Sequence, residues 1–197
     1  MQNYQNNQQA NKALSPTMKI VLTAMLVALS TIINAYVTIR IGTEFKFSFL
    51  LLVYFISGYI LGAPLGFVVG IVGDLLGWIL FTDGAYNPII GLSNGLFAFI
   101  PGIVFGLKRP FKKEVKLLEF VVKTLICYML SYLLCTVLLT SIGSWIYSSY
   151  LQGKYGTLMA WFLYRAVAQL PNTLINLALT IAIFLPLKQV KALKKYL

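Results

Sequence analysis

"TIRIGTEFKFSF", residues 38–49, breaks a long apolar chain. Ile39 and Ile41 alternate with Arg40, and Phe45 and Phe47 with Lys46, so the stretch has the period of two that marks a short strand or hairpin. Long apolar runs lie on both sides of it. The chain has 197 residues, 59% hydrophobic and 11% charged, with a mean hydropathy of +0.81. A soluble domain carries about 25% charge, so lipid must solvate most of this one. The fold class is an all-α integral membrane protein, and the patterned stretch is an outer hairpin after its first helix.

A spanning helix needs about 20 mostly apolar residues. Six runs meet that need, at 18–37, 47–62, 65–81, 88–107, 117–142 and 157–187. The boundary between the second and third is only Gly62-Ala63-Pro64. Residues 1–16, MQNYQNNQQANKALSP, are polar and lack the pattern of a signal peptide. They are expected to be a disordered cytoplasmic tail, followed by a single six-helix domain over 17–197. Six spans put both termini on one side. Lysine and arginine fix which side. With the N-terminus inside, eleven basic residues fall on inner segments: Lys12, Lys19, Lys108, Arg109, Lys112, Lys113, Lys116, Lys188, Lys191, Lys194 and Lys195. Three fall outside: Arg40, Lys46 and Lys154. The hairpin, "TDGAYNP" (82–88) and the polar aromatic stretch "GSWIYSSYLQGKYG" (143–156) are therefore expected as outer connections, and a site open to the outside follows.

The net charge of +11 is spread between apolar runs, which argues against a nucleic-acid partner. Cys127 and Cys135 lie in apolar sequence without a CxxC, and there is no His, so no metal site is expected. Neither GxxxxGK[ST] nor GxGxxG is present; any ATP hydrolysis must come from a partner. An intramembrane hydrolase would have to build its nucleophile from Ser93 or Ser131 with Asp74, a poor triad without histidine. A channel would need rings of charge or carbonyls.

Ionisable groups at bilayer depth cost about 2.5–3.5 kcal/mol on insertion scales, so they mark a site or a partner. Asp74 in the third span and Arg165 in the sixth are such groups. Asp74 is structural or belongs to the site. Arg165, Gln169, Asn172 and Asn176 fall at spacings of four, three and four, one helical face that must look onto a cavity or a polar neighbour. Asn87 and Asn94 can both donate and accept, which suits a planar heterocycle. Trp78 and Tyr86 could stack on a ring. Gly66, Gly70, Gly73 and Gly77, at intervals of three to four, allow a neighbouring helix close. Ala24 and Ala28 repeat the small-xxx-small pattern in the first span.

Together these features resemble the S components of energy-coupling factor (ECF) transporters, six-helix membrane subunits that bind vitamins. The resemblance is strongest to the folate-specific branch, through "IRIGTEFKFSF", "GYILGAPLGFVVGIVGDLLGW" and "TDGAYNPIIGLSNGLFAFIPGIVFG", and in the last helices through Arg165 and Pro171 of "YRAVAQLPN". It implies a docking face at Ala24 and Ala28 for a transmembrane coupling subunit, two ATPase subunits beyond it, no cofactor, and a place in a bacterial cell membrane. It implies a substrate site, for which the candidates are Arg40, Trp78, Tyr86, Asn87, Asn94, Arg165 and Asn172. Arg40 would face the carboxylates of a glutamate tail. The branch reads Pro-Gly-Phe-Thr-Leu-Ser-Ala where this chain has "NPIIGLSNG", so Asn94 replaces a small residue. Pantothenate, cobalamin or a queuosine-like compound stand as alternative ligands.

Overall fold

A computed structural model describes residues 15–41, 45–81, 85–106, 117–151 and 157–189. The first helix, α1 (Pro16–Ile32), begins two residues earlier than the apolar pattern suggested, because Ser15 caps it and Pro16 sits where a missing N–H costs nothing. The rest of the expected tail lies outside the described residues. A π-helical turn, Ile33–Val37, ends α1. Strands β1 (Ile39–Ile41) and β2 (Phe45–Phe47) then pair antiparallel, with Arg40 opposite Lys46. The hairpin is present as the alternation implied.

The second span differs from expectation. Helix α2 (Leu50–Leu61) has 12 residues, about 18 Å of rise, too short to cross a hydrocarbon core of about 30 Å. The hairpin lies at its N-terminal end. Gly62, with φ +85°, turns the chain directly into α3 (Ala63–Leu80), a conformation that glycine adopts without a Cβ penalty. Helix α4 (Pro88–Gly106) contains Pro101, which is buried in the bundle.

The next rod corrects the expected outer connection at 143–156 over residues 143–151, which are helical; 152–156 lie outside the described residues. Helix α5 (Leu117–Ser131), a π segment (Tyr132–Leu139) and α6 (Thr140–Leu151) follow without a break. The polar residues of "GSWIYSSYL" are helical because Ser141, Ser144 and Ser148, spaced three and four, turn one buried face inward. In the π segment the Cys135 carbonyl accepts from the Thr140 N–H and also from Ser93 Oγ and Thr140 Oγ1, the last two both at 2.9 Å. Helix α7 (Leu158–Gln189) closes the fold; at 32 residues it rises about 48 Å. Among the described residues, five helical stretches are long and apolar enough to span a membrane, and α2 is the short sixth.

Glycines set the packing of α1 to α4. A Cβ on Gly66 would fall 2.8 Å from the Ala98 carbonyl oxygen, and one on Gly70 would fall 2.5 Å from that of Asn94. With backbone this close, association rests on van der Waals contact rather than on water exclusion. At the opposite end from the hairpin, Phe105, Phe120 and Phe184 pack edge to face on Tyr59 and Phe55 stacks on it, with Tyr59 and Phe105 centroids 4.9 Å apart.

Candidate functional site

Asp74 lies near the C-terminal end of α3, half-buried, and neighbouring elements send donors toward it. Asn94 Nδ2 of α4 donates to Asp74 Oδ1 at 2.8 Å. Asn34 Nδ2 reaches the same oxygen at 3.5 Å from the π turn of α1. Its amide occupies the space beside Gly77, where a Cβ would come within 2.5 Å of Nδ2. The Tyr86 hydroxyl bonds the carboxylate just before α4 begins. It lies against Gly91, whose missing Cβ would fall 3.2 Å from Asp74 Oδ2. Burial first, then the charge and hydrogen bond of Asp74, push the Tyr86 phenol up to about 12, so it remains a donor at physiological pH. Trp78 packs on Tyr86 with ring centroids 5.4 Å apart. The Tyr54 hydroxyl is fully buried within electrostatic reach of Asp74 and Tyr86, and has no hydrogen-bond partner among the described residues.

Arg165 anchors a second polar group. Its guanidinium donates to Ser144 Oγ at 2.8 Å. The two groups are joined through the start of α4. Asn87 Oδ1 accepts from the Ile89 N–H at 3.1 Å and Asn87 Nδ2 donates to the Gly143 carbonyl at 2.8 Å. Contacts thus run from Arg165 and Ser144, through neighbouring Gly143 and Asn87, to Tyr86 and Asp74. Tyr147 adds a clasp by accepting from the Ala85 N–H at 3.1 Å.

The remaining polar face of α7 turns to backbone. Asn172 Oδ1 accepts from the Ser48 N–H and Asn176 Oδ1 from the Leu52 N–H, each at 3.2 Å. Asn176 Nδ2 donates to the Ser48 carbonyl at 2.8 Å. Asn176 and Ser48 Oγ thus satisfy two of the first N–H groups of α2, those of Leu52 and Leu50, which would otherwise be orphaned at membrane depth, and Asn172 holds the Ser48 backbone just ahead of the helix. They explain how a 12-residue helix is tolerated there.

The sequence-derived candidates therefore divide. Asp74, Trp78, Tyr86 and Asn94 meet in one cluster. Arg165 stands beside it across α4. Asn87 caps α4, and Asn172 holds the hairpin-to-α2 junction. The backbone of Arg40 is in β1, and its side chain lies outside what is described. Ala24 and Ala28 are exposed on one face of α1, with Val21 and Met25 around them. Sequence reasoning missed Asn34 and Tyr54. Asn34 had a signal, a lone amide in the first apolar run; Tyr54 had none, since tyrosine is common near span ends.

A membrane bundle of helices with one short hairpin, and with amides, aromatics and an acidic group collected at one end, is the frame of a small-molecule binding subunit. The sequence profile described as ECF transporter, substrate-specific component, matches residues 18–187. The chain belongs to that family. Among solved structures it is similar in fold to FolT, in a crystal structure bound with folic acid, at a TM-score of 0.62 and 23% identity, over 83% of this chain and 90% of that one. No curated protein matches it.

Proposed function

We propose that this substrate-specific component captures folate on the outer side of a bacterial cell membrane and delivers it to an ATP-driven module. The observation that carries the reading is the run of polar contacts from Asp74 through Asn87 to Arg165, which offers ring-reading and anion-binding groups on one end of the bundle. In this reading Asn94, Trp78 and Tyr86 contact the ring. Arg165 and Arg40 take the glutamate carboxylates by charge-assisted bonds. The place of Arg40 on the hairpin, expected on the outer side, favours that role, since a guanidinium pairs with carboxylates. Asn87 and Asn172 act by holding α4 and the hairpin in place.

The partners are a transmembrane coupling subunit, docking on Ala24 and Ala28, and two ATPase subunits. Both termini lie in the cytoplasm, as the basic inner segments favour. Release occurs when the whole bundle turns in the membrane. A hydrolytic alternative finds less support, because Ser93 Oγ donates to the Cys135 carbonyl. Mass spectrometry of ligand retained on the subunit, purified from cells grown with folate, tests the reading. A folate at one per chain supports it; retention of pantothenate or another vitamin in its place refutes the folate assignment.

A further inference from the structure

We infer that the Asp74 carboxylate reads a pair of adjacent N–H donors on the ligand ring, the edge that a 2-amino-4-oxopyrimidine presents through its ring N–H and exocyclic amine. This deepens the folate reading and rests on it.

The chain carries five acidic residues, and the described ones are Asp74 and Glu119. Glu119 is paired with Lys123 at 2.6 Å on the outside of α5. Asp74 is the described carboxylate inside the polar end, and a carboxylate accepts through two oxygens in one plane. An edge with two parallel donors matches that geometry as a guanidinium does.

The groups that fill the space beside the carboxylate are ones that a ligand edge can replace. Two glycines, Gly77 and Gly91, flank the carboxylate. The atoms nearest to where their side chains would be are tips of movable ones, the Asn34 amide and the Tyr86 hydroxyl. At Gly70 the nearest atoms are backbone instead. The Asn34 bond, at 3.5 Å, is at the weak limit of a hydrogen bond, so it yields to a better donor at little cost. Asn94 keeps its bond at 2.8 Å and holds the carboxylate in orientation. The Tyr86 hydroxyl gives up its bond to the carboxylate for the second ligand donor, and Trp78 and Tyr86 supply aromatic faces beside it. On α2 the buried Tyr54 hydroxyl has no hydrogen-bond partner among the described residues, and in this proposal it donates to the ring carbonyl next to the N–H pair. An N–H pair flanked by a carbonyl is the edge of a pterin.

A purely structural role, bridging α1, α3 and α4, would predict something else. The test measures the affinity of purified wild-type and Asp74→Asn protein for folic acid and for its 2-desamino-2-methyl analogue, which lacks the exocyclic donor. Wild type should prefer folic acid by about 10- to 150-fold, the range of one charge-assisted hydrogen bond. In Asp74→Asn that preference should collapse toward unity. If the variant weakens both ligands equally and keeps the preference, Asp74 is structural and the inference fails. If the variant does not fold, the wild-type ratio decides alone: a ratio near one overturns the inference. Wild-type protein that binds neither ligand overturns the folate reading itself, a result distinct from a lost preference.

Discussion

At the scale of single residues, chemistry at bilayer depth is set by who satisfies whom. Arg165 finds Ser144 on α6, and Asp74 finds Asn94 on α4. Both ionisable groups were legible in sequence because charge in an apolar run is costly. Their partners were not, because they come from helices 20 or 21 residues away whose rotation cannot be read from one strand of text. Asn87 shows how one residue type carries two signals: an amide at a turn reads as a ligand group, and its side-chain oxygen caps α4. Arg165→Ala should weaken folate binding by about 10- to 150-fold, equivalent to roughly 1.5–3 kcal/mol for a lost charge-assisted bond, with the helical content unchanged. Calorimetry beside circular dichroism checks both; unchanged affinity would remove Arg165 from the site.

Among the elements, α2 is the informative one. Its 12 apolar residues merged in sequence with the hairpin, giving an expected span of full length. The true start is fixed by Asn172 and Asn176, 124 residues downstream from the N–H groups that they receive. No local pattern carries that information. The polar stretch ending α6 was misread for a simpler reason: Ser, Tyr and Gly suggest a connection, whereas the three- and four-residue spacing of its serines was the better signal. The glycine ladder of α3 was read well, since close packing leaves small residues on one face whatever the partner. Asn176→Ala removes buried bonds to Ser48 and Leu52 and should cost about 1–3 kcal/mol. Thermal unfolding in detergent should show a lower midpoint. Because the loss frees the junction behind the hairpin, ligand should restore less stability to this variant than to wild type. An unchanged midpoint would mean that α2 does not depend on α7.

For the whole molecule, the distribution of polarity matters most. The hairpin end holds the amides, Asp74 and Arg165, and the other end is packed with aromatic rings. Among the described residues the ligand candidates lie at the hairpin end, and in the proposed cycle no second gate opens through the aromatic core. Turning the entire body is the simpler route, with Ala24 and Ala28 letting a partner approach α1. Ala28→Trp should abolish assembly with the coupling subunit and uptake, while folate binding by the lone subunit stays as in wild type; intact assembly would refute the docking face. A cysteine at position 154, in a variant lacking the buried Cys127 and Cys135, should react only from outside in the lone subunit. It should become shielded, or reachable from inside, in the cycling complex. Constant outer reactivity through the cycle would exclude the turn.

The central claim is capture of folate by this chain alone. Titration of folic acid into the purified subunit in lipid nanodiscs, without nucleotide or partner, tests it most directly. Saturable binding at one site per chain, lowered by Arg165→Ala, is the predicted result. Absence of binding by protein that remains folded would contradict it.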